Sequence, residues 1–449
     1  FDMDRYRPID IQTYASYFGL PQVPLENILV DGFSGQAGSN ADEVEMDIEL
    51  INAVAPGAAK ILVYEGPNTD AGVLDILNRM ATDNRASVIS TSWGSPESQM
   101  TQKSAQLEGQ IFLQMAAQGQ TVLAASGDTG AYDATPPKSY SVLTAIDPAS
   151  QPYVTGTGGT TLTLSSGQYY GSEVVWNQGA GASGGGVSMF WPLPSWQANV
   201  PTLSSATARN VPDVALNANP STGYSLYIKG RWGVYAGTSA VAPIWAAFIA
   251  EVNQSRSKKG QPLIGFLNPS LYRLAGSSSY SANFHDITSG NNNYYSAGLG
   301  YDNATGWGSF QGTNLMSSLQ EGGQTIVFSH LPVSLEWGQT VNLNEAGASS
   351  AGLPLTYAAG PSPFCTLNGA FLTAVLPGSC VVTATQAGNG SYAPASATGS
   401  IAVIQPSYPG INRTLTVQVP FGGGNVTSSP VGIACGGGEG FCVQGFTRN

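Results

Sequence analysis

Short apolar segments alternate with helix-like segments over the first 320 residues of this 449-residue chain. The apolar runs end in Gly or polar residues, as buried parallel strands do; they are residues 59–65, 86–92 and 121–126. Helix-like stretches at 71–80 and 104–117 lie between them. This βαβ alternation predicts an α/β fold with a largely parallel sheet and helices on both faces. In such a fold the reactive side chains lie at the carboxyl ends of the strands, which here are 92–94 and 126–130.

The composition changes after residue 322. From 323 to 405, Thr, Val, Ser and Gly alternate in short segments separated by turns, which predicts a small all-β sandwich. Residues 406–449 predict a second, Gly-rich β module that is too short to fold well without a covalent bridge. The sequence therefore predicts an α/β domain over 1–322 and two small β domains after it.

All four cysteines lie in this β region. Two local pairs, Cys365 with Cys380 and Cys435 with Cys442, are favoured among the three possible connectivities, and disulfides indicate an oxidising compartment. Metal binding by the cysteines is the weaker alternative, because their spacing fits no zinc pattern and no histidine lies near them.

The charge pattern excludes two classes of partner. Only 10% of the residues are charged, the formal net charge is −12, and no basic cluster occurs beyond Lys258 and Lys259, so the sequence lacks the footprint of nucleic-acid binding. No run approaches the roughly 18 apolar residues of a membrane span. The chain begins at Phe1 without a signal-peptide pattern, so we expect a secreted, processed product whose leader has been removed. So few charges suit an acidic extracellular setting, and equally an ordinary neutral secreted protein.

A serine framed by small residues opens an apolar helix-like segment, GTSAVAP at 237–243. A serine hydroxyl becomes a nucleophile only beside a proton acceptor, usually an imidazole, and the chain has only His285 and His330. Ser239 is therefore either an ordinary residue at the start of a core helix or a nucleophile whose base is not histidine. The two interpretations are compatible, because backbone N–H groups at a helix start can stabilise an oxyanion.

Residues 42–54 have the apolar spacing of a helix that ends at Ala-Pro-Gly, residues 55–57. Glu43 and Asp47 then lie one turn apart on the same face. Two ionised carboxylates at this spacing repel each other, so one of them is poised to hold a proton. The pair is a candidate substitute for histidine, although this segment alone favours a solvated acidic helix face.

Asp128 lies in a Ser-Gly-Asp-Thr-Gly turn after a predicted strand. An Asp between glycines is ordinary turn chemistry. Buried beside a reacting carbonyl, the same side chain would be a neutral acid that donates a hydrogen bond to an oxyanion.

Asp286 and Asp302 are separated by a Gly-rich loop that can turn backbone carbonyls inward. Hard oxygen ligands of this kind suit one calcium ion with about six oxygens. The alternative is a Gly- and Asn-rich loop with incidental acids.

Together, these four segments resemble the sedolisins, or serine-carboxyl peptidases, over roughly residues 1 to 320. Residues 43–49 resemble the family's helix with the catalytic glutamate and aspartate, and 126–128 resemble its oxyanion-aspartate turn. Residues 237–243 are similar to its nucleophile motif. The residues similar to its calcium site, in which Ile and Gly contribute carbonyl oxygens, are Asp286, Ile287, Gly298, Gly300 and Asp302.

The resemblance implies a subtilisin-like fold and a secreted endopeptidase that cleaves proteins and peptides. Ser239 would attack the peptide carbonyl, Glu43 would take and return the proton, and Asp47 would orient Glu43. Protonated Asp128 would join the Ser239 N–H in an oxyanion hole. Trp93 is expected to line the substrate pocket. Because Glu43 must be ionised while Asp128 is not, activity is expected at acid pH.

Two alternatives stay open, a catalytically inactive binding or surface protein with the same fold and a tripeptidyl-peptidase. A Ser-His-Asp subtilisin is disfavoured, because His285 follows Ser239 and adjoins the predicted metal ligand, and His330 lies in the linker region.

The resemblance also implies features outside the segments above. Family members have an amino-terminal strand and a further acidic residue upstream of the segment that matches 2–20. Two alternatives stay open for these residues: they form a separate chain produced by autoprocessing, or they are missing. Residues 324–405 resemble bacterial immunoglobulin-like modules, and 406–449 resemble a truncated repeat of secreted bacterial proteins. These modules imply an adhesion or spacer role.

Overall fold

A computed structural model gives the structure of the protein. It describes residues 1–132, 142–178, 181–320, 324–350, 352–360, 363–388, 392 and 395–405, and the backbone alone at 413–417, 426–427, 434–435 and 442–446. The chain divides into two compact units, the first formed by residues 1–323 and the second by most of the remaining residues. Within the described residues, no helix is long and apolar enough to span a membrane.

The first unit combines helices with a mostly parallel sheet. Its helices are α1 (Pro8–Phe18), α2 (Ala41–Val54), α3 (Asp70–Asp83), α4 (Gln102–Ala117), α5 (Thr238–Lys258), α6 (Asn268–Ala275), α7 (Tyr280–Asn283) and α8 (Gly312–Gln320). Its strands are β1 (Leu25–Leu29), β2 (Ile61–Glu65), β3 (Val88–Thr91), β4 (Ser95–Pro96), β5 (Thr121–Ala125), β6 (Ile146–Asp147), β7 (Thr155–Leu164), β8 (Tyr170–Val175), β9 (Asn177–Gln178), β10 (Gly181–Ala182), β11 (Gly186–Pro192), β12 (Ala208–Val211), β13 (Val214–Asn217), β14 (Tyr224–Ile228), β15 (Arg231–Tyr235), β16 (Phe284–His285) and β17 (Ser309–Phe310). The strands and helices expected from the apolar pattern are among them.

The central sheet has the strand order β13, β7, β5, β3, and each neighbouring pair is parallel. β8 extends it by pairing antiparallel with β7. Alternate residues of β5 enter two different hydrophobic clusters, because successive side chains of a strand point to opposite faces. Leu123 packs in the cluster of Trp245 from α5, whereas Val122 and Ala124 pack in the cluster of Phe112 from α4. Helices therefore cover both faces of the sheet, which confirms the predicted fold class.

The starts of two helices meet the carboxyl ends of the strands. α2 has Asp42 and Glu43 in its first turn, where the helix dipole favours negative charge. α5 begins after Gly237, whose φ of 101° is a left-handed conformation that favours glycine. Gly127 N donates to Thr238 Oγ1 at 3.0 Å, and this bond joins the end of β5 to the start of α5. α2 and α5 pack on each other, and Glu43 from the first turn of α2 contacts Ser239 in the first turn of α5, so the two helix starts lie side by side.

The second unit is a small β structure. Its described elements are β18 (Ile326–Phe328), β19 (Ser334–Glu336), β20 (Thr340–Asn342), α9 (Leu343–Ala346), β21 (Gly347–Ser349), β22 (Thr356–Ala359), β23 (Cys365–Asn368), β24 (Phe371–Ala374), β25 (Gly378–Gln386) and β26 (Ala395–Ile404). One sheet has the order β19, β26, β25, β22 and another the order β20, β24, β23. Cys365 and Cys380 form a disulfide that links these two sheets and confirms the first predicted pair.

The chain after residue 405 is described by its backbone only. β27 (Arg413–Val417) pairs antiparallel with β30 (Cys442–Phe446), and β28 (Val426–Thr427) pairs antiparallel with β29 (Ala434–Cys435). The predicted pairing of Cys435 with Cys442 lies outside the described side chains. The division of the β region at residue 405 stays a prediction.

Candidate active site

Ser239 lies in the first turn of α5 and is partly exposed. Ser92, which follows β3, places its Oγ 3.0 Å from the Ser239 carbonyl oxygen. Neither histidine belongs to this turn of the chain. His285 stacks on Tyr170 with ring centroids 3.7 Å apart, and His330 belongs to the second unit.

Glu43 is the carboxyl that the structure places against Ser239. Burial raises the pKa of Glu43 to about 8, with smaller contributions from the charges of Asp128, Asp2 and Asp42. A side-chain hydrogen bond with Ser239 acts in the opposite direction, because it favours the ionised form. The Glu43 Oε1 atom is sealed from solvent and has no hydrogen-bond partner. One oxygen of this carboxyl is therefore free to accept a proton.

Asp47 lies one turn further along α2 and is only 4% exposed. Ser92 Oγ donates to its Oδ1 at 2.8 Å. Burial, followed by the charges of Asp2 and Glu43, raises the pKa of Asp47 well above the ordinary value of a carboxyl. Glu43 is less buried than Asp47 and has the Ser239 hydroxyl beside it. Of the two acids, Glu43 is thus the one in contact with the Ser239 hydroxyl.

Asp128 follows β5 and is held by the start of α5. The N–H and the Oγ1 hydroxyl of Thr238 both donate to its Oδ1, each at 2.8 Å. Its Oδ2 lies against Gly237, where an added Cβ would come within 2.6 Å of that oxygen. Burial raises the pKa of Asp128 in spite of the two hydrogen bonds from Thr238. One carboxyl oxygen is thus anchored, while the other faces the turn that carries Ser239.

Asp2 is a third acid beside Glu43 and Asp47, and we call these three residues the acid cluster. Asp2 is 4% exposed, and its backbone pairs with Glu65 at the end of β2. The indole N–H of Trp93 donates to Asp2 Oδ1 at 3.3 Å. Burial raises the pKa of Asp2, and the charge of Asp2 in turn raises the pKa values of Glu43 and Asp47. Trp93 therefore contacts the acid cluster through its ring nitrogen.

Asp286 and Asp302 are brought together at a Gly-rich loop. Gly300 N donates to Asp286 Oδ2 at 3.0 Å, and Gly298 N donates to Asp302 Oδ2 at 3.2 Å. The Tyr280 hydroxyl donates to Asp286 Oδ1 at 2.9 Å. Burial and then the charges of Asp286 and Asp302 raise the pKa of Tyr280. Both carboxylates thus act on a single side chain.

The surroundings of Asp302 decide what this loop could hold. Burial raises the pKa of Asp302 to about 6, although Ala304 N and Thr305 N both donate to its Oδ1. The Ile287 side chain is a hydrocarbon buried against Val175, so Ile287 could offer an ion only its backbone carbonyl oxygen. Over the described part of the chain, no group of three or more His, Cys, Asp or Glu side chains is placed to hold a metal ion. A cation at this loop would need carbonyl oxygens besides the two carboxylates.

The chain matches the subtilase family over residues 33–308. Kumamolisin from Bacillus sp. (strain MN-32) is 43% identical over 333 residues, which cover 70% of this chain and 58% of that protein. Xanthomonalisin from Xanthomonas sp. (strain T-22) is 33% identical over 347 residues, which cover 67% of this chain and 41% of that protein. The chain thus spans about half the length of the curated relatives that it matches.

A solved structure has the same fold as the first unit. It is Pseudomonas sedolisin, a serine-carboxyl proteinase, complexed with two molecules of pseudo-iodotyrostatin. The match has a TM-score of 0.64 and 32% identity, and it covers 70% of this chain and 90% of that chain. The chain belongs to the sedolisin family. The resemblance carried by the four motifs and the subtilisin-like fold that it implied are both confirmed.

In this member of the sedolisin family, the catalytic candidates Ser239, Glu43, Asp47 and Asp128 meet at one edge of the sheet. Trp93 joins them through its indole N–H. The calcium candidates form a second cluster around the two carboxylates of the Gly-rich loop. Chemically, the first site offers a hydroxyl beside a carboxyl that can take its proton and a separately held acid that can donate one.

Sequence reasoning missed three side chains of this site. Ser92 and Thr238 lie inside segments that it singled out, but their hydrogen bonds depend on how β3, β5 and α5 meet in three dimensions. Asp2 had no local signal at all. Asp4, two positions later, carries the same group and instead accepts from the backbone N–H groups of Gly38 and Asn40.

Proposed function

We propose that the protein is a secreted serine-carboxyl peptidase that hydrolyses peptide bonds of proteins at acid pH. The observation that carries the proposal is the Ser239 hydroxyl beside the Glu43 carboxyl, with Asp128 held at the same turn. A nucleophile, a proton acceptor and an oxyanion donor are the groups that acyl transfer needs. The disulfide between Cys365 and Cys380 supports secretion, since disulfides persist in oxidising compartments.

In the proposed mechanism, Ser239 Oγ attacks the carbonyl carbon of the scissile bond while its proton moves to the Glu43 carboxylate. The carbonyl oxygen becomes an oxyanion that accepts hydrogen bonds from the Ser239 N–H and from protonated Asp128. As the C–N bond breaks, Glu43 gives the proton to the leaving amine, and an ester of Ser239 remains. Water then attacks the ester with Glu43 as base, and the proton returns to Ser239 when the acid product leaves.

The protonation states account for the expected acid optimum. Asp128 must be protonated to donate a hydrogen bond, and its raised pKa widens the pH range in which the carboxyl is protonated. Glu43 must be ionised to accept, so its raised pKa leaves only a minor fraction in the active form at acid pH. The part of that rise due to Asp128 vanishes in the active form, because Asp128 is then neutral. The rate therefore rises as the acid cluster loses its first proton and falls as Asp128 ionises.

Digestion of an unfolded protein at acid and neutral pH tests this proposal. We expect internal fragments in the mass spectrum and a maximum rate below neutral pH. Ser239→Ala should lower the rate by about 10⁴-fold or more, because the nucleophile is lost. Release of tripeptides from the amino terminus alone would instead identify a tripeptidyl-peptidase. A folded wild-type protein that cleaves nothing at acid pH would overturn the proposal and favour an inactive binding protein.

We propose further that Asp286 and Asp302 hold one calcium ion together with the carbonyl oxygens of Ile287, Gly298 and Gly300. The donor set fits a hard cation, and a buried carboxylate such as Asp302 is unfavourable unless its charge is neutralised. Removal of calcium by a chelator should lower the Tm, and added calcium should restore it. Asp302→Asn should abolish this difference. An equal Tm with and without the chelator would contradict the site.

We propose, last, that a separate N-terminal chain supplies a strand between β2 and β3. A groove of about 650 Å³ lies between these strands, lined by residues such as Leu62 and Ile89. Among the described strands, β2 pairs with β1 and β3 pairs with β5, so each keeps one edge toward the groove. Denaturing mass spectrometry of the protein purified from its source should detect two polypeptides. A single covalent chain that includes the strand would contradict a separate partner.

A further inference from the structure

A second group of buried carboxyls lies outside the site described above. Glu108, on α4, is 6% exposed, and Asp147, on β6, is 2% exposed. The two carboxyls are joined by a side-chain hydrogen bond, and Gln151 Nε2 donates to Asp147 Oδ2 at 2.7 Å. An ionised carboxyl can only accept, so a hydrogen bond between two carboxyls requires one proton between them.

The charges around the pair disfavour a second negative charge. Glu97 acts on Asp147 and Asp70 acts on Glu108, and both neighbours are acids. Arg209 acts on Glu97. The charged neighbours with the largest effects on the pKa values of Glu108 and Asp147 are therefore acids. Burial is the largest influence and raises the pKa of both carboxyls, which keeps the shared proton in place above the usual range of an acid.

β6 touches both strand ends that carry the candidate active site. It pairs with β4, and a Cβ added at Gly94 would come within 2.6 Å of the Asp147 carbonyl oxygen. The Ile146 side chain also packs on Gly127, where an added Cβ would come within 2.6 Å of Ile146 Cγ1. Gly94 lies two residues after Ser92, and Gly127 immediately precedes Asp128. β6 thus packs against both turns, the one that carries Ser92 and the one that carries Asp128.

We propose that Glu108 and Asp147 are positioning residues that hold β6 against Gly94 and Gly127 through their shared proton. They keep the turns of Ser92 and Asp128 in register for the reaction at Ser239. When both carboxyls ionise, the hydrogen bond between them is lost and two negative charges face each other in a buried place. β6 then loosens. The role in positioning rests on the proposed peptidase function, whereas the proton-dependent packing of β6 does not.

Hydrogen exchange of peptides spanning 92–98 and 142–152 tests the packing directly. In the wild type, the protection factor of these backbone amides, which is corrected for the intrinsic exchange rate at each pH, should fall about tenfold from acid to mildly alkaline pH. Glu108→Gln should remove this dependence, because the amide donates to Asp147 without a shared proton. Glu173→Gln is the matched control, since Glu173 is a partly buried acid of the same unit that accepts from Thr160 and Ser309. It should leave the wild-type dependence unchanged.

Two outcomes would overturn the inference: Glu108→Gln with the pH dependence of the wild type, or a wild type whose protection does not change with pH. Activity adds a second readout. Glu108→Ala should lower kcat at acid pH about tenfold with little change in KM, while Glu108→Gln stays within about twofold of the wild type. If Glu108→Ala fails to fold, the pH dependence of hydrogen exchange in Glu108→Gln still tests the inference. A wild type without activity would count against the proposed function and leave the exchange result to stand.

Discussion

Two groups of buried carboxyls in the first unit have similar electrostatics and different surroundings. Glu43 and Asp47 lie at the start of α2, and Glu108 and Asp147 lie between α4 and β6. Burial raises the pKa in both groups. Only the first group faces a nucleophile, since Ser239 contacts Glu43. A raised pKa alone therefore does not identify a catalytic acid; a reactive partner within contact does.

The comparison also separates two uses of a proton. In the first group, Glu43 is partly exposed and contacts the Ser239 hydroxyl, so a proton can arrive and leave. In the second group, Asp147 is almost fully enclosed, and Gln151 holds one of its oxygens. The proton there is part of the packing. The predictions below test whether this distinction holds.

The largest effect should follow from Glu43→Gln. The amide cannot accept the serine proton, so kcat/KM at acid pH should fall about 10²- to 10⁴-fold. Glu49→Gln is the matched control on the same helix, because burial raises the pKa of Glu49 to about 9 and this residue accepts from Tyr227 N. We expect the control to keep its activity within a few-fold. Equal losses in the two variants would mean that burial, not contact with Ser239, sets the effect.

Asp128 should give the next largest effect. Asp128→Ala removes an oxyanion donor and should lower kcat about 10²- to 10³-fold. Asp128→Asn keeps an N–H donor that needs no titratable proton. The proposed mechanism expects the wild type to lose activity as pH rises through the raised pKa of Asp128, so this limb of the kcat profile should move upward or disappear in Asp128→Asn. An unchanged limb would show that another group causes it.

Asp2→Asn should have a smaller effect, mainly on pH dependence. The charge of Asp2 raises the pKa values of Glu43 and Asp47, so its removal should lower both. The acid limb of the rate profile should then move to lower pH, with a maximum rate within about tenfold of the wild type. Trp93→Phe should move the limb in the same direction by a smaller amount, because loss of the indole hydrogen bond raises the pKa of Asp2 and leaves Asp2 less charged. Shifts of opposite sign would contradict this electrostatic account.

The smallest effect should be on stability. An acid whose pKa is raised in the folded state lowers the free energy of unfolding as pH rises from about 4 towards the folded pKa. The reason is that the unfolded chain releases the proton at lower pH than the folded protein does. Glu108→Gln removes one such acid and should therefore raise the free energy of unfolding by about 1 kcal/mol at neutral pH and hardly at all at acid pH. Urea unfolding at the two pH values measures this. A gain at acid pH alone would be inconsistent with a shared proton.

Much of the fold follows from periodic patterns in the sequence. The apolar run 121–126 predicted β5, and the 42–54 spacing predicted α2, because burial of one face or both dictates these periods. The candidate residues were accessible for a related reason. Asp128 lies in the turn after β5 and Ser239 in the first turn of α5, and small residues flank both positions.

The rest depends on contacts between distant segments. Asp2 lies beside Glu43 and Asp47 because its backbone pairs with Glu65 at the end of β2. The contact of Glu108 with Asp147 depends on how α4 packs against β6, and no pattern in either segment predicts it. Carboxyls of this kind look like solvated surface groups in a sequence, since burial is a property of the assembled fold. The roles of the predicted calcium ligands stay predictions.

The Ser92 hydroxyl has a consequence for the helix that carries the serine. It has one hydrogen and two acceptors, Asp47 Oδ1 at 2.8 Å and the Ser239 carbonyl oxygen at 3.0 Å. When Asp47 is charged, the hydrogen points to it. When Asp47 holds a proton, that proton can be donated to Ser92, whose own hydrogen then turns to the Ser239 carbonyl. Rotation of one hydroxyl thereby transmits the charge of a buried acid to the backbone of the first turn of α5.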